Sequence, residues 1–164
     1  MVMSYDVLCV YGQLNSAVFS GAYWQLVSAM FVHFDIVHLA SNMIFLFIFG
    51  LRAEELFSTV EYYVIYLSSG LAGNLLTLLA GPNLLSAGAS GAIFGVFAAD
   101  VIFLRSDSRS IVVSLMFAFM FFLFSASEGT NLLAHLGGLL TGLLLGYVFS
   151  GSRKFVGRKS RYAY

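Results

Sequence analysis

The chain alternates long apolar runs with short polar segments, which is typical of a protein whose helices cross a membrane repeatedly. Five apolar stretches stand out, at about 36–51, 60–80, 90–104, 111–125 and 132–150. A helix needs about 20 apolar residues to span a bilayer, with a range of about 17–25, and the second and fifth stretches satisfy this easily. We therefore predict an all-α, polytopic membrane protein built as a bundle of five transmembrane helices.

The third stretch is too short to cross the hydrocarbon core by itself. At about 1.5 Å per residue, a helix over 90–104 reaches about 22 Å, against a core of about 30 Å. Its neighbours must shield it, and its outer end is expected to lie below the membrane surface. Such a recessed, protein-lined position is where irregular backbone is tolerated in a bilayer.

The composition supports a membrane protein. The 164 residues are 60% hydrophobic and 10% charged, with a mean hydropathy of +0.90, whereas soluble domains carry about 25% charged residues. The net charge of +0 gives no indication of nucleic acid binding. The length allows one domain, and the single Cys9 excludes an internal disulfide.

The basic residues predict the orientation. Arg52 follows the first helix, Arg105 and Arg109 follow the third, and the remaining five lie in the tail 151–164. In a five-helix serpentine these places share one side, which the positive-inside rule assigns to the cytoplasm. We expect a multi-pass protein of a prokaryotic cell membrane, with a cytoplasmic C-terminus and with 1–35 as a loop segment on the outer side.

Four polar side chains are predicted at similar depth near the outer face, because their helices all begin there. His38 and Asn42 lie in the first turns of helix one, Ser90 begins helix three, and His135 lies one turn into helix five. Each has a simple alternative: a helix cap for Ser90, and hydrogen bonds that join helices for the others. Polar intramembrane groups are nevertheless rare and commonly functional, so the four together indicate a site.

Small residues favour close contact between helices three and five. Gly91 and Gly95 are four residues apart, and Gly138, Gly142 and Gly146 form a similar stripe. Such faces let helix backbones approach closely, which would bring the serine within the roughly 2.6–3.2 Å that a nucleophile and its base require. Ordinary helix packing is compatible with the same pattern.

The predicted chemistry is nucleophilic attack on a peptide carbonyl. Neutral His135 would accept the proton of Ser90 Oγ and then pass it to the leaving amine. The Ser90 backbone N–H and the helix dipole would stabilise the oxyanion, with His38 and Asn42 as further donors. Because the helices that carry these residues begin at the outer face, the site is expected to open to the outer side.

No carboxylate is placed to complete a triad. Asp100 lies roughly 15 Å below Ser90 along the helix, and an aspartyl protease would need a second apposed carboxylate. Phe94, one turn after Ser90, is a candidate to pack on the imidazole and fix its plane. A zinc site from His33, His38 and His135 lacks the HExxH signature and a nearby ligand cysteine, so no metal or other cofactor is predicted.

These residues form motifs that resemble those of the rhomboid intramembrane serine proteases. The motifs are His33-x4-His38-x3-Asn42, Gly88-Ala89-Ser90-Gly91 and Ala134-His135-x2-Gly138-x3-Gly142, in family order. Glu54 after Gly50 and the aromatic Phe94 also match family features. The resemblance covers about residues 20–150, within a single rhomboid-like membrane domain over 1–164.

The resemblance implies a Ser90–His135 dyad that cleaves transmembrane protein substrates in or near the lipid. It assigns oxyanion or substrate binding to His38, Asn42 and Gly88. Supporting positions are His33, Phe94, Gly91, Gly138 and Gly142. It also implies that 1–35 is the family's first loop, that 125–131 forms a cap loop, and that helices one and four flank a substrate gate.

Two further expectations accompany the resemblance. The family core has six helices, so this chain is expected to lack the first one. The alternative function is that of a non-proteolytic relative that binds membrane clients. Such relatives usually lose the serine or the histidine, and both are present here.

Overall fold

The computed structural model of the chain describes residues 4–104, Met116 and residues 131–151. The long helices in these ranges are α4 (Ile36–Leu56), α5 (Thr59–Thr77), α6 (Ser90–Phe103) and α7 (Leu132–Gly151). They are preceded by the short helices α1 (Tyr5–Tyr11), α2 (Asn15–Phe19) and α3 (Gln25–Ser28). Two 3₁₀ turns, Ala29–Phe31 and Leu78–Ala80, and two strands, β1 (Gln13–Leu14) and β2 (Leu85–Ser86), complete the described elements.

The prediction of an all-α, polytopic membrane protein is confirmed. By length and composition, three of the described helices can cross a membrane: Ile36–Leu56, Thr59–Ala80 and Leu132–Ser150. The α6 helix has 14 residues and reaches only about 21 Å, so it is too short to span alone. The predicted helix at 111–125, the cap loop and the basic tail lie outside the described residues, except for Met116, Asn131 and Gly151.

The predicted end of the first helix, at residue 51, is wrong. The α4 helix continues to Leu56, so Arg52 and Glu54 lie in its last turns instead of in a loop. Arginine, alanine, glutamate and leucine all favour helix, and Arg52 pairs with Glu55 at 2.6 Å, one turn on. Burial of Ala53 extends the packed face of the helix past the apolar run.

Polar caps fix the starts of α4 and α5. The Asp35 side chain accepts a hydrogen bond of 2.8 Å from the His38 backbone N–H. Ser58 and Glu61 form a reciprocal capping box at the start of α5. The Asp35 cap is relevant to the site because it fixes the helical turn that carries His38.

The segment before α4 is joined to the loop before α6 by a small antiparallel sheet. Gln13 pairs with Ser86, and Leu14 pairs with Leu85. The segment therefore contains regular structure and is tied to the stretch that leads into Ser90.

The α6 helix lies at the centre of the described bundle. Ten consecutive residues, from Gly91 to Asp100, are buried, and α4, α5 and α7 pack around them. A helix that cannot span the lipid alone is thus shielded by its neighbours, as its length predicts.

Backbone contacts between glycines hold α6 against α7. A Cβ on Gly138 would collide with the Gly91 carbonyl oxygen, and one on Gly142 would collide with that of Gly95. At Gly146, a Cβ would lie 2.6 Å from Ala99 Cα. The predicted close approach of these helices is confirmed, since a stripe of small residues lets helix backbones touch.

We predict that Gly142→Ala destabilises the fold by about 1–3 kcal/mol or more, because the added methyl group overpacks a backbone contact. Alanine is the better helix former by about 1 kcal/mol, so intrinsic propensity would act in the opposite direction. Thermal unfolding in detergent measures the change.

Leu140→Ala serves as the control, because Leu140 lies on an exposed face of the same helix. It should shift the unfolding temperature less than Gly142→Ala does. A Gly142→Ala variant as stable as the parent would contradict the packing described here.

Candidate active site

Ser90 is the first residue of α6, and its side chain does not cap that helix. The N-cap is Ala89, with no side-chain capping bond, so the capping alternative for Ser90 is wrong. The Oγ atom of Ser90 lies 2.9 Å from His135 Nε2. The hydroxyl therefore sits at a helix N-terminus, where the first backbone N–H groups have no intrahelical acceptor and the dipole favours negative charge.

His135 is held by one hydrogen-bonding atom and one aromatic ring. Its side chain is nearly buried, with 8% exposed, and it packs on Phe94 with ring centroids 4.4 Å apart and planes tilted by 36°. The Nδ1 atom has no hydrogen-bond partner within the described part of the chain. Phe94 thus packs on the imidazole as expected.

Asp100 does not complete a triad with this pair. Both of its carboxylate oxygens are buried, and neither makes a hydrogen bond among residues 4–104, Met116 and 131–151. It lies on α6, ten residues beyond Ser90. In these ranges the site therefore contains a serine and a histidine without a carboxylate bonded to the imidazole.

Gly88 lets α4 approach the backbone just before the serine. Its φ of +123° lies in a region that only glycine adopts readily. A Cβ there would lie 2.8 Å from His38 Cε1 and Nε2, and 3.8 Å from Asn42 Nδ2. The structure therefore brings His38, Asn42 and Gly88 together, with Gly88 two residues before Ser90.

Asn42 is anchored within its own helix. Its Nδ2 donates a hydrogen bond of 2.9 Å to the His38 carbonyl oxygen, and the residue is only 2% exposed. Because an amide nitrogen carries two hydrogens, one donor is used in this way and a second remains. The Oδ1 atom is buried and makes no hydrogen bond to any residue that the structure describes.

His33 supports His38 from the loop before α4. The two rings meet edge to face with centroids 5.1 Å apart, and Phe34 stacks on His38 at 5.9 Å. Burial and the nearby His38 lower the pKa of His33 to about 4, against an opposing effect of Asp35. His33 is therefore neutral at neutral pH and acts as a packing ring.

The described residues do not gather a metal site. Within 4–104, Met116 and 131–151, no group of three or more His, Cys, Asp or Glu side chains is placed to hold an ion. His33 and His38 are neighbours, but the Nε2 atom of His135 faces the serine.

A polar layer formed by Asn131, Thr77 and Ser86 was not predicted from the sequence. Asn131 caps α7 through a bond from the Ala134 backbone N–H to its Oδ1, at 3.1 Å. Its Nδ2 donates to Thr77 Oγ1 and to Ser86 Oγ. An asparagine just before an apolar helix is a recognisable cap signal, but its partners are distant in sequence.

The fold and the site define a polytopic membrane protein with a serine–histidine pair enclosed by packed helices. The rhomboid domain matches residues 20–152 of the chain. The chain therefore belongs to the rhomboid family.

Relatives occur in distant organisms. The chain is 38% identical over 133 residues to RHOMBOID-like protein 6, mitochondrial, of Arabidopsis thaliana, covering 76% of this chain and 43% of that protein. It is 34% identical over 131 residues to Rhomboid-like protease 3 of Toxoplasma gondii, covering 74% and 50%. It is 33% identical over 136 residues to Rhomboid protease GluP of Bacillus subtilis, covering 78% and 26%. The chain thus spans half or less of each of these relatives.

We predict that His33 makes stability fall as the pH is lowered from about 6.5 to about 4. The unfolded chain binds a proton on His33 in that window and the folded chain does not, so protonation favours unfolding. A His33→Gln variant should lose less stability across the window. Unfolding temperatures in detergent, measured at several pH values, test this.

Asp35 also has a lowered pKa, because its carboxylate accepts the hydrogen bond from the His38 backbone N–H. Since both proteins contain Asp35, the comparison isolates the contribution of His33. An equal pH dependence of the parent and the His33→Gln variant would show that His33 does not titrate in this way.

Proposed function

We propose that this protein is an intramembrane serine endopeptidase that cleaves transmembrane protein substrates with a Ser90–His135 dyad. The observation that carries the proposal is the 2.9 Å contact between Ser90 Oγ and His135 Nε2. That distance lies within the range of about 2.6–3.2 Å for a nucleophile and its general base. Membership of the rhomboid family, in which two of the relatives above are named proteases, supports the same reaction.

His135 acts as the proton carrier. With Nε2 unprotonated and the proton on Nδ1, the imidazole accepts the Ser90 proton as Oγ forms a bond to the scissile carbonyl carbon. The resulting imidazolium then gives that proton to the leaving amine as the peptide C–N bond breaks. Water then attacks the acyl carbon while His135 accepts its proton, and His135 returns that proton to Ser90 Oγ as the ester C–O bond breaks, which releases the acid product and restores Ser90.

The oxyanion is stabilised from two sides. The Ser90 backbone N–H and the positive end of the α6 dipole lie on one side. His38 and the remaining Asn42 donor lie on the other, beside the backbone of Gly88. A Cβ at position 88 would collide with the His38 ring, so Gly88 keeps room for the proposed oxyanion donors, and we include it in the proposed substrate-binding set.

The membrane setting determines the substrate class. Because α6 is too short to span the lipid alone, Ser90 at its end is expected to lie below the membrane surface. A peptide bond within or next to a transmembrane segment can reach that depth. From the placement of Lys and Arg we further propose that the site opens to the outer side and that the C-terminus is cytoplasmic.

We predict that Ser90→Ala abolishes both cleavage of a transmembrane test substrate in liposomes and labelling by a serine-directed fluorophosphonate. The reason is the loss of the nucleophile, so the unfolding temperature should stay close to that of the parent. His135→Ala should abolish cleavage as well, because no base would remain.

Ser150→Ala is the matched control, since Ser150 lies near the far end of α7 and bonds the Tyr147 carbonyl oxygen. It should cleave and label like the parent. Cleavage by Ser90→Ala would exclude the serine mechanism. A folded parent that binds the substrate but neither cleaves nor labels would favour a client-binding protein. Inhibition by a chelator, reversed by zinc, would favour a metal site.

We predict that Asn42→Ala lowers kcat by about 10²–10³, the usual cost of removing one oxyanion donor. KM should change little, because the donor acts mainly on the transition state. Steady-state cleavage kinetics in liposomes measure both constants.

Ser41→Ala is the control for this change. Ser41 Oγ donates to the same His38 carbonyl oxygen, at 3.0 Å, as Asn42 Nδ2 does at 2.9 Å. Both variants therefore remove a local bond in α4, whereas only Asn42→Ala removes the proposed oxyanion donor. Equal kinetics for the two variants would assign Asn42 a purely structural role.

A further inference from the structure

Asn131 uses both atoms of its side-chain amide and its carbonyl oxygen at the start of α7. Its Oδ1 accepts from the Ala134 N–H at 3.1 Å, and its carbonyl oxygen accepts from the His135 N–H at 3.2 Å. Its Nδ2 donates to Thr77 Oγ1 at 2.7 Å and to Ser86 Oγ at 2.8 Å. One side chain thus joins the end of α5, strand β2 and the first turn of α7.

The acceptors of this amide are themselves fixed. Thr77 is fully buried, and its hydroxyl donates to the Gly73 carbonyl oxygen at 2.9 Å. Its oxygen is therefore left to accept the Asn131 bond. Ser86 is buried in β2, where it pairs with Gln13. Asn131 is therefore bound to buried groups and not to exposed surface side chains.

The hydrogen bonds of Asn131 connect the two chain segments that carry Ser90 and His135. Ser86 precedes Ser90 by four residues, with Gly88 between them. His135 follows Asn131 by four residues, so the two lie on the same face of the helix end. The hydrogen bond between Asn131 and Ser86 therefore links the β2–α6 loop, which leads to Ser90, with the helical turn that carries His135.

The imidazole needs such a link because no group in the described ranges bonds to its second nitrogen and orients it. His135 Nδ1 has no hydrogen-bond partner in the described part of the chain. Packing on Phe94 limits the tilt of the ring. The glycine stripe sets the distance between α7 and α6. Because glycines have no side chains to interdigitate, the stripe does not prevent α7 from sliding along the axis of α6.

We propose that Asn131 is a positioning residue that sets the register of α7 against the β2–α6 loop and thereby holds His135 Nε2 at Ser90 Oγ. This inference rests on the proposed protease function. It assigns Asn131 no contact with substrate, since its amide is fully engaged within the protein.

The test variant is Asn131→Asp. A carboxylate keeps the capping oxygen and is favourable at a helix N-terminus, but it cannot donate to Thr77 and Ser86. A misplacement of about 1 Å can cost about 10²-fold in rate, so we expect kcat to fall by about ten- to a hundredfold. KM should stay within about twofold, and fluorophosphonate labelling of Ser90 should slow in parallel with kcat.

Thr77→Val tests the same link from the other side, because it removes one acceptor and leaves the cap of α7 intact. It should lower kcat less than Asn131→Asp does. Combined with Asn131→Asp it should add little further loss, since the two changes remove a shared interaction.

Asn74→Ala is the control for stability alone. Asn74 is a buried amide near the same end of α5, and its Nδ2 donates to the Leu26 carbonyl oxygen at 2.9 Å. Its loss should lower the unfolding temperature and leave kcat close to that of the parent when assayed well below that temperature.

The outcomes separate this inference from the proposed function. A parent that does not cleave while remaining folded overturns the protease proposal. A parent that cleaves together with an Asn131→Asp variant of equal kcat overturns the positioning role alone. So does a loss of kcat that merely follows the unfolding temperature, as in Asn74→Ala. If Asn131→Asp does not fold, the same criteria apply to Thr77→Val.

Discussion

The backbone contact between α6 and α7 determines where the serine and the histidine meet. Gly138 lies against the Gly91 carbonyl, and Gly142 lies against that of Gly95, with no room for a Cβ at either contact. Side chains of ordinary size would move helix axes apart to about 8–10 Å. The 2.9 Å distance between Ser90 Oγ and His135 Nε2 therefore depends on residues that have no functional groups at all.

The same packing maintains polar groups that are costly to bury. His135 Nδ1, Asn42 Oδ1 and His33 Nε2 are all buried without a hydrogen-bond partner among the described residues. Each such group costs about 1–3 kcal/mol, and a well-packed core around it must offset that cost. Gln13 Oε1, Ser69 Oγ and both carboxylate oxygens of Asp100 are in the same state, so such atoms occur beside the serine–histidine pair and also elsewhere in the described bundle.

The sequence was sufficient to predict what depends on local spacing. The span of α5, the shortness of α6, and the convergence of His38, Ser90 and His135 follow from helical periodicity and from the order of the segments. The end of α4 was misplaced because Arg52 and Glu54 look like a loop to a hydropathy pattern, although both are good helix formers. The Asn131 layer could not be found, since its partners lie 54 and 45 residues away and nothing in the local pattern indicates that pairing.

In the described part of the chain no carboxylate bonds to His135, and the membrane gives a physical reason for this arrangement. A carboxylate beside His135 would orient the imidazole, but a charged group inside the bilayer costs several kcal/mol. In the described part of the chain, Asp100 is kept ten residues from the serine along α6 and makes no hydrogen bond. Orientation is instead divided among uncharged elements: the Phe94 ring limits the tilt of the imidazole, the glycine stripe sets the helix separation, and Asn131 anchors the start of α7. A serine–histidine pair positioned by packing avoids burying a further charge beside the imidazole, but its geometry then depends on many small contacts and not on one strong bond.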